Sequence, residues 1–168
     1  MRNGGTVARE GERLDALAAT RLKPGCLQRQ MREVLERAGS TFDAPTVLLS
    51  AVGAEEQFFP ARLGLAAHAT PRDVSFCAHL LDGEPELLVR DTLDDPRFRE
   101  NALVTGAPNI RFYAGVRVAM PGGLPLGAFC VIDRRPRPDV TREQLDELHQ
   151  LAGFAQVILQ ARVLSRAA

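Results

Sequence analysis

Two apolar runs, Phe112 to Met120 and Leu124 to Ile132, stand either side of Pro121-Gly122-Gly123. A Pro-Gly break between two runs of strand length turns the chain back on itself and predicts a β-hairpin. A second pair lies earlier. Thr46 to Val52 is followed by the turn Gly53-Ala54-Glu55-Glu56 and the returning run Gln57 to Arg62, a hairpin of ordinary loop length. Glu86 to Arg90 supplies a further strand between the two pairs. Hairpins at both ends of the strand set predict an antiparallel sheet. Pro60 has no N–H for a ladder, which predicts an edge position for it.

Helical spacing occupies the two ends. Arg9 to Leu22 places Leu14, Leu17 and Ala18 on one face, and Pro24-Gly25 breaks it. Leu27, Met31, Val34, Leu35 and Ala38 predict a second helix, with Gly39 as its C-terminal cap; the two form a helical hairpin. Thr141-Arg142-Glu143-Gln144 is a capping box opening a long helix with the stripe Leu145, Leu148, Ala152, Ala155 and Leu159. In the middle, Asp73 to Leu81 predicts a short helix with Asp73 and Ser75 as caps. Asp94 to Phe98 opens another, with Pro96 in its first turn, and Asn101 to Ile110 is loop-like. The expected class is α+β: a central antiparallel sheet of five or six strands, terminal helices on one face, and short helices and loops over a pocket on the other.

The chain has 168 residues, which fits one domain. Lys plus Arg equals Asp plus Glu at 21 each, so no surplus of cations exists to neutralise phosphates, and nucleic acid is not an expected partner. The short cluster Arg134-Arg135-Pro136-Arg137 reads as a solvated loop. Cys26, Cys77 and Cys130 are widely spaced and odd in number, which argues against a disulfide framework or a zinc site and for a reducing, cytoplasmic setting. No apolar stretch is long enough to span a membrane, and the N-terminus lacks the apolar core of a signal peptide.

Several segments in order carry a resemblance. Ser75-Phe76-Cys77-Ala78-His79 is followed by Leu87-Leu88-Val89, then Asp94-Asp95-Pro96-Arg97-Phe98 and Asn101 to Thr105. Ile110-Arg111-Phe112-Tyr113-Ala114-Gly115 and the run Leu124 to Asp133 complete the set. This pattern, from about Leu27 to Leu164, resembles the GAF domains of bacterial sensor histidine kinases and diguanylate cyclases. The expected division is 1–26 as a helical extension and 27–165 as the GAF domain, standing alone because no output motif follows. The resemblance implies a small-molecule pocket on one face of the sheet and dimerisation through terminal helices, with the ligand and any cofactor unknown. The Asn-Lys-Phe-Asp-Glu signature of cyclic-nucleotide members is absent. Ala78 separates Cys77 from His79, unlike the Cys-His pair of bilin binders. The cysteines are not grouped as in the free methionine sulfoxide reductases that share the fold. Arg117 stands in a strand where many relatives are apolar.

The candidate ligand-binding residues are Phe76, Cys77, His79, Asp91, Phe98, Asn109, Arg111 and Tyr113; none is catalytic or metal-binding. Asn109, Arg111 and Tyr113 offer donors suited to an anionic group, and the alternative for Arg111 is structural, an ion pair with Asp94 or Asp95 or a tie that holds down the middle loop. Cys77 is a redox-sensing thiol or a small buried group, and His79 a helix-face histidine. Cys130 reads as core, Phe76, Phe98 and Phe112 as core or pocket wall, and Asp91 as a cap or a polar pocket group. No Ser-His-Asp triad, paired carboxylates or phosphate loop occurs, and the expectation is a sensing domain that is not an enzyme. A ligand-free interaction module and a thiol-dependent reductase are the alternatives. A homodimer through Leu14, Leu17, Leu148, Leu151, Phe154 and Ile158 is expected, with a signalling protein as a further partner; the alternative is that the helical hairpin covers the same apolar surface within one chain.

Overall fold

The computed structural model describes residues 3–168, with side chains from residue 9 onward. Six strands form one sheet: β1 (Thr46–Val52), β2 (Glu56–Leu63), β3 (Ala69–Pro71), β4 (Glu86–Val89), β5 (Phe112–Ala119) and β6 (Pro125–Asp133). Their spatial order is β3-β2-β1-β6-β5-β4, with every pairing antiparallel. The β5–β6 hairpin runs in register from Phe112 opposite Asp133 to Val118 opposite Gly127, then shifts so that Ala119 meets Pro125. β6 also pairs with β1, from Thr46 opposite Ile132 to Leu49 opposite Phe129, and these two strands form the middle of the sheet.

Alternation sends each strand's side chains into two separate cores. Val47, Leu49 and Ala51 of β1, Phe129 and Val131 of β6, and Phe112, Ala114, Val116 and Val118 of β5 enter the first. Leu48, Val52, Ala128, Cys130 and Tyr113 enter the second. The first core is closed by α1 (Asn3–Thr20), α2 (Arg32–Phe42) and α4 (Arg142–Ala167). The second is closed by a thinner layer. It holds two 3-10 turns, Arg72–Val74 and Cys77–Leu80, together with the 91–101 turns and α3 (Ala102–Thr105).

Thr141 caps α4 as expected, its hydroxyl accepting from the Gln144 N–H while the Gln144 side chain accepts from the Thr141 N–H. Other expectations need correction. Gly39 does not end α2. The helix runs on to Phe42 and closes at Asp43, which holds a left-handed φ of 46°. The Asp43 and Ala44 N–H groups return to Ser40 and Gly39, a Schellman ending with aspartate in place of glycine. Residues 24–31 form turns, so the second helix begins at Arg32 and not at Leu27. Pro60 is not at an edge. It sits where β1–β2 register shifts between Leu49 and Ala51, a bulge that asks no N–H of it, and its carbonyl accepts from Leu27. Asp73 caps nothing, whereas Ser75 accepts from the Ala78 N–H and opens the second 3-10 turn. The 94–98 stretch is a run of turns, and 102–105 is helical because Asn101 caps it through the Leu103 N–H.

Arginines fasten the loops by donating to backbone carbonyls. Arg137 is no solvated loop residue. It reaches the Phe42 and Asp43 carbonyls that α2 leaves exposed, and pairs with the buried Asp133. Arg117 spans from β5 to the carbonyls of Leu80 and Gly83. Arg13 fixes α1: it is 3% exposed and donates to the Val52 carbonyl at 2.8 Å and the Pro125 carbonyl at 3.5 Å. Glu10 bridges Arg13 to Arg72 of the covering layer, at 2.8 and 2.6 Å.

The hydrogen bond from Arg13, with Arg72 adding to it, holds the Glu10 carboxyl at about 2, below its ordinary 4.5. A depressed carboxylate stabilises the fold above its unfolded pKa and loses that contribution on acidification. Glu10→Gln is expected to cost about 1 kcal/mol at pH 7 after allowance for solvent screening. The gap to the parent should close between pH 4.5 and about 2, as measured by urea denaturation at stepped pH. A gap that does not change over this window would remove the ion pair from the α1 attachment. Gly64 gives a second expectation. It has φ of +71°, and a Cβ there would lie 1.8 Å from the Pro45 carbonyl oxygen. Gly64→Ala should lower unfolding free energy by about 2 kcal/mol or more; a parent-like denaturation midpoint would show that the turn opens freely.

Candidate functional site

The thin layer does not fill the space against the sheet. An apolar cavity of about 400 Å³ remains, bounded by Leu48 of β1, Phe59 of β2, Tyr113 of β5 and Ile132 of β6 on the sheet side. Leu65, Phe76, Cys77, Leu103, Pro108 and Ile110 bound it on the covering side. The exposed residues Ala67, Ala107 and Arg134 mark its mouth. Its polar wall is already hydrogen-bonded: Gln57 donates to Thr70 at 2.9 Å and accepts from Ser75 at 2.7 Å. Larger hollows exist, one of about 810 Å³ over Leu88 to Arg97 and Pro136 to Pro138. That hollow is a more open surface basin. Two of its acids are already paired, Asp91 with Arg111 and Asp95 with Arg97.

The structure divides the candidate residues. Phe76, Cys77 and Tyr113 meet at the cavity. Phe98 lies behind, stacked on Phe76 at 4.2 Å and 6°. His79 stands edge-on to Phe98 at 4.9 Å and borders a different hollow with Arg72 and Asp73. Burial, helped by the nearby Arg97 cation, lowers its pKa and favours the neutral ring. Arg111 ties down the start of the middle segment, through Asp91 and not through Asp94 or Asp95. Its guanidinium grips Asp91 with two bonds at 3.0 and 2.9 Å, which lowers the Asp91 pKa and spends the donors an anion would need. Asp91 also caps the Leu93 N–H, and Asp95 is taken by the Arg97 guanidinium. Asn109 is exposed, with φ of 58°, in the turn before β5. Arg111 and Asn109 are not among the cavity-lining residues.

Sequence reasoning missed the other walls, Leu65, Thr70, Leu103 and Pro108. Their signal was faint: Leu65, Leu103 and Pro108 are apolar residues outside any periodic run, and Thr70 sits in a strand of only three residues. It also missed the meeting of two thiols. Cys77 and Cys130 are 53 residues apart, yet their Sγ atoms lie 3.8 Å from each other. The Tyr113 hydroxyl donates to Cys77 Sγ at 3.2 Å. Gly115 makes this reachable, because a Cβ there would stand 2.3 Å from that hydroxyl oxygen. Burial pushes the Tyr113 pKa well up, so the phenol keeps its proton. Among the described residues, no group of three His, Cys, Asp or Glu side chains could hold a metal ion, and no helix is long and apolar enough to cross a membrane.

The dimer residues also divide. Leu17, Leu148 and Leu151 are buried in the chain's own first core, packed against α2 and the sheet, and offer no surface to a partner. Leu14 and Ile158 are half-buried, while Phe154 stands out at 59% exposure.

No family model matches the chain. A cyclic di-GMP phosphodiesterase of Pseudomonas aeruginosa is 43% identical over 127 residues, which is 76% of this chain and 21% of that protein. The chain thus spans about a fifth of the length of the curated relative it matches. This match to a protein named for its enzymatic activity overturns the expectation that the chain is not an enzyme. Among solved structures, the PixJ GAF domain of Thermosynechococcus elongatus superposes with a TM-score of 0.63 at 12% identity, over 91% of this chain and 89% of that one. GAF3 of a Synechocystis protein gives 0.56 at 18% identity, over 83% and 98%. A type II free methionine-R-sulfoxide reductase of Thermoplasma acidophilum gives 0.62 at 12% identity, over 79% and 91%. With its six antiparallel strands, its helical layer on one face and its thin cover on the other, the chain has the fold of a GAF domain.

Proposed function

We propose that this chain is the sensing segment of a cyclic di-GMP phosphodiesterase, that it takes up a small, mainly apolar molecule, and that it relays occupancy through its terminal helices. The cavity between sheet and cover carries the reading. Its volume of about 400 Å³ lies in the range of small-ligand sites. Gln57 and Thr70 on its wall are already hydrogen-bonded, so an apolar guest leaves neither of them unpaired. The 43% identity to a phosphodiesterase supports the enzymatic setting. The bridge from Arg72 in the cover through Glu10 to Arg13 on α1 supports the relay, since a shift of the cover pulls directly on that helix.

Thermal-shift titration tests the binding, with indole as the first probe among small apolar compounds. A saturating ligand at a hundredfold excess over Kd stabilises by about 2.7 kcal/mol. Leu103→Trp fills the cavity from its covering side and should abolish the shift while the variant stays folded. No shift with any compound, or equal shifts in parent and variant, would sink the binding site. For the setting, cyclic di-GMP hydrolysis by the protein carrying this chain should change about fivefold in Leu103→Trp, an ordinary coupling energy. Equal rates would detach the chain from that enzyme.

The relay calls for a second copy of the chain. Phe154, Val157, Ala161 and Leu164 are exposed along α4, the three larger side chains at 59%, 66% and 59%. Their 3-4-3 spacing is that of a coiled-coil seam, distinct from the stripe that faces the core. We assign this seam to a parallel homodimer contact. Sedimentation at micromolar concentration should show a dimer for the parent and a monomer for Phe154→Asp; a parent that stays monomeric would remove the second copy from the scheme.

A further inference from the structure

Cys77 and Cys130 are 2% and 0% exposed, and they approach from opposite layers. Cys130 is fixed in the middle of the sheet, paired with Leu48 on one side and Gly115 on the other. Cys77 begins the 3-10 turn Cys77–Leu80, which no strand constrains. A disulfide needs the sulfurs at about 2.05 Å. From 3.8 Å the remaining movement is under about 2 Å, and the turn can supply it by a rotamer change and a small settling onto β6. The pair is also reachable, because Cys77 forms part of the cavity wall.

The two thiols are unequal. Hydrogen bonding from Cys130, supported by Ser50 and Tyr113, draws the Cys77 pKa down despite its burial. Burial, together with the neighbouring Cys77, pushes Cys130 up. Cys77 is therefore the sulfur that gives up its proton first, and Cys130 keeps its own. An attacking thiolate beside a protonated partner is the arrangement that reversible thiol oxidation requires.

We propose that Cys77 and Cys130 are a reversible dithiol that a small hydroperoxide oxidises through the cavity, tying the cover to the sheet. In the first step Cys77 thiolate attacks the terminal oxygen of the hydroperoxide. The O–O bond breaks, Cys77 becomes a sulfenic acid, and the alkoxide or hydroxide leaves, taking up the former Cys77 proton. In the second step Cys130 sulfur attacks the Cys77 sulfur, the S–O bond breaks, and the departing hydroxide carries off the Cys130 proton as water. The two sulfurs lose two electrons in all, and the hydroperoxide is reduced to an alcohol, or to water when it is hydrogen peroxide. A dithiol reductant such as dithiothreitol reverses the bond by exchange. Neither step requires the cavity to hold any other guest, so the proposal stands apart from the apolar ligand.

The test uses the purified full chain, reduced and then treated with hydrogen peroxide in small excess. Intact mass should fall by two hydrogens, and proteolytic mapping should join the Cys77 and Cys130 peptides. Dithiothreitol should restore the starting mass, and Cys26→Ser should behave as the parent does. Cys130→Ser should instead accumulate a sulfenic acid that dimedone traps at Cys77. Tyr113→Phe, which removes one hydrogen bond to the thiolate, should slow the reaction about three- to tenfold. If the native parent and Cys26→Ser both keep their mass, or if the crosslink forms only after denaturation, the proposal fails. It fails equally if oxidation falls on Cys26 alone. The parent and Cys26→Ser measurements decide the matter even if Cys130→Ser does not fold.

Discussion

The sheet is apolar on both faces, and this double demand organises the molecule. β1 buries every residue after Thr46, and β6 buries seven of its nine, so neither face can be left to water. Three helices meet one demand amply. The other is met by connecting chain, which cannot pack as densely as a helix because its backbone must also find hydrogen-bond partners. The cover solves this with short turns, each closed by its own side chain: Ser75 for the Cys77 turn, Asn101 for α3 and Asp91 for the turn after β4. Where these turns leave room, the cavity opens. Its place follows from the layer that could not be made helical.

The parts legible in the sequence are those set by neighbours in the chain. Both hairpins, the Thr141 box and the α4 stripe depend on spacing within a dozen residues, and each stands where spacing puts it. The division of labour between faces was legible too, since a long capped helix and a loop-rich middle cannot cover a sheet equally. What was hidden depends on distant partners. Gly39 looks like a helix end until Asp43, four residues on, is seen closing the helix. Pro60 looks like an edge residue until the bulge opposite Ser50 removes the need for its N–H. Arg111, Asn109 and Tyr113 alternate along one stretch, which suggested one donor cluster. Asp91 then claims Arg111, and Gly115 lets Tyr113 lie flat toward Cys77. The thiol pair is the clearest case: no local rule relates residue 77 to residue 130, and only the register of β5 and β6 under the Cys77 turn brings them together.

Equal numbers of acids and bases mask an uneven use of charge. Some acids, such as Glu10, Asp91, Asp95 and Asp133, sit beside arginines, whereas several arginines reach to carbonyl oxygens. Arg13 holds α1 to the ends of β1 and β6, Arg90 holds the 138–140 segment to β4, and Arg137 closes α2. Charged donors make hydrogen bonds roughly twice as strong as neutral ones, and the planar guanidinium serves two acceptors at once. Long connections are thereby fixed without apolar area, which the sheet has already claimed.

A carbonyl oxygen is the same on every residue. The grip of Arg117 on Leu80 and Gly83, or of Arg137 on Phe42 and Asp43, depends on the path of the acceptor backbone and not on the side chains attached to it. In a lineage of such proteins the arginine would be held in place while its acceptor positions changed identity freely. Paired substitutions, the usual trace of residues that touch, would not record these contacts. The ties that fix the outer layers to the sheet would then be invisible to any comparison of sequences that looks for residues changing together.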